Sequence, residues 1–230
     1  TSCSTKKTNY INIKYHNITA KYNGYFNGKE SLKYGYKKLE KSHRDDYSKI
    51  LPIYKGGDLS GSKAHHPYMD KAIKKASIVI QRHSIKVKNR EYCKWIDDSY
   101  LLIGKAYFYK GEFLEAKKTF DFIKNNFKKT EIADESKLWL ARCYINMKDY
   151  SSSENILDEL QSKRRFPEKL EKDLHLVFAD LYLKQNLYSE AADELKLSTN
   201  LIKRKSNRAR IYYIIGQIYQ DANNFVQSKK

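Results

Sequence analysis

Large apolar and small residues recur with a long period through the second half of the chain. Tyr107, Tyr144, Tyr182 and Tyr219 stand 37, 38 and 37 residues apart. Three residues before each comes a small residue (Gly104, Ala141, Ala179, Gly216), preceded by a large apolar one (Ile103, Leu140, Phe178, Ile215). An aromatic follows six residues after each tyrosine (Phe113, Tyr150, Tyr188, Phe225), and a small residue nine after it (Ala116, Ser153, Ala191, Ser228). Within a period the apolar positions fall three and four apart, as on one face of a helix. Each period therefore predicts two helices. The first helices run over 91–109, 131–147, 168–185 and 206–222, and the second over 112–127, 150–163 and 188–203. Small residues mark the closest approach of paired helices, and the aromatics fill the wedges between successive pairs.

This register of large–small–x–x–Tyr in one helix and a small residue in the next resembles the tetratricopeptide repeat. The predicted fold class is all-α, a right-handed solenoid of helical hairpins over 91–230 with three complete repeats and a truncated fourth. Solenoids of this kind usually bind and do not catalyse. The fourth repeat stops at Lys230, a few residues into its second helix. A solenoid cut there would expose an apolar face, so the expectation is one part of a longer polypeptide.

Upstream the pattern weakens. Residues 1–7 are short and polar, a tether carrying one cysteine. Residues 8–54 predict an N-terminal helical hairpin like a degenerate repeat, with Ile18, Tyr22, Tyr25 and Phe26 on one face and Asn27-Gly28 as the break. A second helix over 29–42 carries Leu32, Tyr36 and Leu39, and Asp45-Asp46 opens a short apolar element through Leu51. Residues 55–67 hold three of the nine glycines and predict a linker loop. Residues 68–90 predict a connecting helix with Met69, Ile73, Ala76 and Ile80 on its apolar face.

Composition narrows the chemistry. Nine glycines and three prolines in 230 residues suit helices joined by short turns. The net charge of +18 would suit phosphate neutralisation, but the lysines are spread along the whole chain, which argues against a nucleic-acid footprint. No apolar stretch reaches the roughly 20 residues of a membrane-spanning helix. Cys93 and Cys143 read as packed thiols, and His65-His66 as a solvated loop, because neighbouring histidines diverge and no ligand set completes a metal site. Phosphate-cradling loops, paired-histidine helices and nucleophile elbows are all missing. The pairs Asp45-Asp46 and Asp97-Asp98 diverge. The expectation is no enzyme, no cofactor and no metal.

Two surfaces are candidates for partners. The first helix of each repeat should line a concave groove, with Leu101, Lys105, Phe108 and Tyr109 in repeat one and Leu138, Arg142, Ile145 and Asn146 in repeat two. Repeat three offers Leu176, Asp180, Leu183 and Lys184, and repeat four Tyr213, Gln217 and Gln220. Apolar anchors in a polar rim suit an extended peptide or a helix; equally, the recurring leucine could pack against the next repeat. The positions that would clamp a C-terminal carboxylate hold Leu101, Trp139, Asp173 and Val177, unlike chaperone-tail receptors. The second surface is basic: Lys128-Lys129, Lys163-Arg164-Arg165 and Lys203-Arg204-Lys205 each end a second helix. One cation per end would complement a helix dipole; the surplus predicts an edge for an acidic partner or anionic headgroups.

Three strings outside the repeat register are more specific. Residues 15–26 (YHNITAKYNGYF), 45–52 (DDYSKILP) and 94–111 (KWIDDSYLLIGKAYFYKG) resemble the N-terminal region of the SprE/PorW lipoproteins, as does the helix from Met69 ending Gln81-Arg82-His83-Ser84. Those are tetratricopeptide lipoproteins tied to gliding motility and the type IX secretion system. The resemblance implies lipidation of Cys3 and anchoring to the periplasmic face of the outer membrane. It also implies association with a large outer-membrane β-barrel translocon and its periplasmic subunits, linking them to the motor. The alternative is a soluble cytoplasmic repeat adaptor with a free Cys3 thiol; a polymer-associated protein would rest on charge alone.

Overall fold

A computed structural model describes residues 4–56, 63–88, 90–128 and 130–228, with side chains up to Asp221. The described residues form two compact modules: those of 1–42 and 58–136, and those of 43–57 and 137–230.

In the first module α1 (Tyr10–Thr19) passes through a π-wound stretch, Ala20–Tyr25, into α2 (Phe26–Ser42) without interruption. The expected break at Asn27-Gly28 is absent. Gly28 is buried in mid-helix, where a Cβ would stand 2.8 Å from Leu102 Cδ2. Gly24 and Gly35 meet Val79 and Met69 in the same way. These glycines let α2 approach its neighbour closely; they do not turn the chain. That neighbour is α3 (His66–His83), which lies antiparallel to α2: Gly24 faces Val79, Gly28 faces Ala72, and Gly35 faces Met69. The helix expected as a lone connector is thus the second member of a hairpin. It packs in turn on α4 (Ile96–Tyr109), which pairs with α5 (Phe113–Asn126).

Between α3 and α4 comes a small antiparallel ladder, β1 (Lys86–Val87) with β2 (Arg90–Glu91), unforeseen in the sequence. Glu91 ties it down. Its carboxylate accepts from the Ile85, Tyr92 and Cys93 N–H groups at 2.8, 3.0 and 2.9 Å, and from Ser84 Oγ. The Cys93 thiol beside it is buried and pushed up to about 11 by desolvation.

The later helices follow the predicted register closely: α6 (Glu131–Asn146), α7 (Tyr150–Gln161), α8 (Glu168–Lys184), α9 (Tyr188–Leu201) and α10 (Lys205–Ser228). Each turn inside a repeat is closed alike. Four residues after the register tyrosine stands a left-handed residue, Gly111 (φ 78°), Lys148 (φ 63°) or Asn186 (φ 61°). The next N–H, of Glu112, Asp149 or Leu187, donates back to the tyrosine carbonyl at 2.9–3.0 Å. This is a Schellman closure, which satisfies the carbonyls that a helix end leaves open. The small–small contact is equally regular. The space beside Gly104 is filled by the Phe120 ring, and Ser153 Oγ donates to the Ala141 carbonyl at 3.2 Å.

Repeat four departs from expectation. The register places its turn at Asn223, but α10 continues through it to Ser228. Gly216 accordingly has nothing within 4 Å of where a Cβ would stand.

Candidate partner-binding groove

In the first module the expected groove positions are spent on packing. Leu101 and Phe108 are buried, Phe108 against Phe113. Tyr109 packs at a tilt against Tyr36 of α2, and Lys105 pairs with Glu135 at 2.5 Å. The cause is the unforeseen α2–α3 hairpin, which covers this side of α4. Leu138 and Leu176 are buried as well, so the recurring leucine is a packing residue.

The second module gathers some of the remaining groove residues, Arg142, Leu176, Leu183, Tyr213 and Gln217, around a segment of the chain itself. Residues 43–56 lack regular structure apart from tight turns and run along α6, α8 and α10 as a strap. Leu51 and Ile53 are buried among Leu176, Ile211, Ile214, Ile215 and Ile218, with Ile50 and Leu183 at the margin. Polar contacts then fix the strap's backbone, which has no ladder of its own. Gln217 Oε1 accepts from the Leu51 N–H at 3.0 Å, and Gln217 Nε2 donates to the Lys49 carbonyl at 2.8 Å. Arg210 forks onto the Asp45 carboxylate, Nη1 at 2.5 Å and Nη2 at 2.8 Å, and Nη2 also donates to the Pro52 carbonyl at 3.0 Å. Such planar bidentate pairs combine strength with directional specificity. The Arg210 hydrogen bonds, helped by His43, hold the Asp45 carboxyl down to about 2.

Aromatic contacts complete the seat. The Arg142 guanidinium lies 4.0 Å from the Tyr54 ring centroid and 4.2 Å from that of Trp139. Tyr47 meets Tyr213 edge-on at 5.7 Å. Half-buried Asp180 has its carboxyl raised by desolvation, against the pull of the Arg142 and Lys184 charges. Lys184 and Asn146 are exposed; the Asn146 amide donates to the Arg142 carbonyl at 2.8 Å.

Sequence reasoning passed over Arg210, though a signal existed. Nine residues before the register tyrosines stand Asp98, Glu135 and Asp173, and then Arg210. One position changes sign in the repeat whose strap carries Asp45.

Of the basic clusters, Lys128, Lys163, Arg164, Arg165, Lys203, Arg204 and Lys205 are exposed. Lys129 and Cys3 lie outside the described residues. These clusters do not complement helix dipoles as expected. Lys163-Arg164-Arg165 follows the α7 cap at Ser162, beyond the last turn. Lys203-Arg204-Lys205 leads into α10, where the Arg204 carbonyl accepts from Asn207 and Arg208. Cations there face the positive end of a helix dipole, which disfavours them.

Titratable groups also gather at the start of α4. Desolvation pushes Asp97 up to about 6, with the Asp98 charge adding to it, and Asp98 itself is raised by burial while accepting from Tyr25 Oη at 3.3 Å. Among the described residues no group of three His, Cys, Asp or Glu could hold a metal ion, and no helix is long and apolar enough to cross a membrane.

The tetratricopeptide repeat family model matches residues 97–121, from the first turn of α4 into α5. No curated protein matches the chain. The matched hairpin, the repeated Schellman turns and the helix-on-helix packing together show an all-α fold of tetratricopeptide-like helical hairpins.

Proposed function

We propose that this protein is a non-catalytic scaffold lipoprotein of the type IX secretion system. It is held by a lipid on Cys3 at the periplasmic face of the outer membrane, binds the β-barrel translocon and links it to the motor. The repeat fold supports protein–protein interaction in general. The scaffold reading is carried by one observation: the second-module groove holds an irregular polypeptide through side chains that grip its backbone, Gln217 on Lys49 and Leu51, and Arg210 on Pro52. A surface that accepts backbone in this way is suited to extended segments of other proteins. The placement in the secretion machine is supported by the strings at 15–26, 45–52 and 94–111.

The test is affinity purification of the native protein from cell envelopes in mild detergent, with mass spectrometry of what co-elutes. The expected result is near-stoichiometric recovery of a giant outer-membrane barrel and an acylated Cys3. Recovery of soluble cytoplasmic proteins only, with Cys3 a free thiol, would overturn the secretion assignment in favour of a cytoplasmic adaptor.

A further inference from the structure

Helix α1 buries its polar side and shows its apolar side to water. Inward it presents Asn12, 8% exposed, His16, 2% exposed, and Ala20. Asn12 and one ring nitrogen of His16 are engaged there, while His16 Nε2 is buried without a hydrogen-bond partner. Asn12 Nδ2 donates to the Ser4 and Lys7 carbonyls at 2.9 and 2.6 Å, and His16 Nδ1 meets His83 Nδ1 at 3.0 Å. Asn17 adds a bond from its amide to the Tyr92 carbonyl and accepts from the Lys94 N–H. Outward stand Ile11, Tyr15 and Ile18 of α1, then Tyr22 of the π-wound stretch and Phe26 at the start of α2, exposed by 79, 49, 49, 59 and 53%. Their three- and four-residue spacing makes them one stripe. The set expected on one helical face, Ile18, Tyr22, Tyr25 and Phe26, is thus divided: Ile18, Tyr22 and Phe26 are exposed, and Tyr25 packs inward, tilted on Trp95.

Leaving a continuous aliphatic and aromatic stripe in water while enclosing Asn and His runs against the hydrophobic effect, and such stripes mark contact surfaces. Charge indicates which contact. Residues 1–29 contain Lys6, Lys7, Lys14, Lys21 and Lys29 and no Asp or Glu; the first acid is Glu30. Lys14 lies 5.7 Å from the Tyr10 ring, and Lys21 lies 5.0 Å from Tyr22 and 5.3 Å from Trp95. A shallow cleft of about 350 Å³, lined by Tyr10, Ile13, Lys14, Lys21 and Trp95 among others, runs beside the stripe.

We propose that this face of α1 lies flat on an anionic lipid surface. Ile11, Ile18 and Phe26 enter the headgroup–acyl boundary, and the tyrosines sit at headgroup level with their hydroxyls wet. Lys14 and Lys21 meet the lipid anions. A helix with an aliphatic and aromatic face flanked by lysines and without acids has the chemistry of an interfacial helix. A second copy of the same face would bring like charges together, which disfavours self-association. The inference goes beyond the secretion reading and does not use the Cys3 lipid.

It is tested with the chain purified as Cys3→Ser and floated with vesicles of phosphatidylcholine alone or mixed with phosphatidylglycerol. The expected result is binding that needs phosphatidylglycerol and weakens with salt. Binding should fall roughly thirtyfold in Lys14→Ser/Lys21→Ser, since each surface lysine contributes about 1 kcal/mol. It should be lost in Ile11→Ser/Ile18→Ser/Tyr22→Ser, whose exposed positions leave the circular dichroism and melting temperature unchanged. Three results would overturn the proposal. One is no vesicle binding. Another is binding that survives the stripe variant but is lost on Arg164→Glu/Arg165→Glu, which would move the lipid site to the basic turns. The third is a stripe-dependent dimer in sedimentation without vesicle binding.

Discussion

Gly104 and Gly216 occupy the same register position, yet they should respond oppositely to a methyl group. Gly104→Ala drives a Cβ into the buried Phe120 ring and should cost roughly 1–3 kcal/mol by overpacking. Gly216→Ala meets nothing within 4 Å and should stabilise by up to about 1 kcal/mol through helix propensity. Urea midpoints of the two variants check this; equal effects would mean that the repeat contact is wrongly placed. Lys148 gives a companion test. Its φ of 63° strains a residue with a Cβ, so Lys148→Gly should stabilise by about 1 kcal/mol, while Gly111→Ala should destabilise by about as much. A pH response is also built in at this scale. Desolvation lowers the basicity of His16, and of His83 together with the nearby His16 and Arg82 charges; Tyr15 packs edge-on to His16. The folded state then binds fewer protons than the unfolded state. The associated stability is present above the unfolded value near 6.5 and drains away as pH falls below it. Urea melts between pH 7 and 5 should show this loss, and His16→Asn/His83→Asn should flatten it. Because Asp97, held up to about 6, titrates in the same range with the opposite sign, the decisive result is the difference between the two profiles: a double variant whose pH dependence matches the wild type would contradict the geometry.

Among the elements, legibility followed repetition. The helices from α4 to α9 were readable because several periods repeat one pattern, so each weak residue preference was confirmed by its equivalents. Gly28 was misread because a glycine has two physical uses, turning a chain or admitting a neighbour; only Leu102 and Ala72, distant in sequence, decide between them. The inverted face of α1 was hidden for a similar reason. Amphipathicity gives the direction of a face but assumes that polar residues look outward, and here Asn12 and His16 find partners within the protein. The strap was illegible because its order comes from Arg210 and Gln217, more than 150 residues away, and not from local propensity. Its lack of regular structure has a dynamic consequence. Segments without their own hydrogen-bond ladder open at lower free energy than packed helices. In hydrogen exchange the Leu51 amide should therefore exchange through local opening, well before the core amides of α8. Exchange of both only with global unfolding would mean that the strap is an inseparable part of the core.

For the molecule as a whole, fold class could be read from the chain, and so could the general character of a protein that binds proteins. The groove was half legible: Arg142, Asp180, Tyr213 and Gln217 do gather in one place, whereas Leu101, Phe108 and Tyr109 went into packing under a hairpin that the sequence pattern had concealed. The central claim is that the second-module groove is a seat for extended polypeptide, filled in this chain by residues 43–56. The most direct measurement is fluorescence anisotropy of a labelled peptide of residues 43–56 titrated with Leu51→Ser/Ile53→Ser, in which the internal strap has lost its apolar anchors. The account predicts saturable binding to this variant, at least tenfold weaker apparent binding to the wild type, and loss of binding when Gln217→Ala and Arg210→Met are added. A variant that keeps its helical circular dichroism but binds no peptide, or one that no longer folds at all, would contradict it.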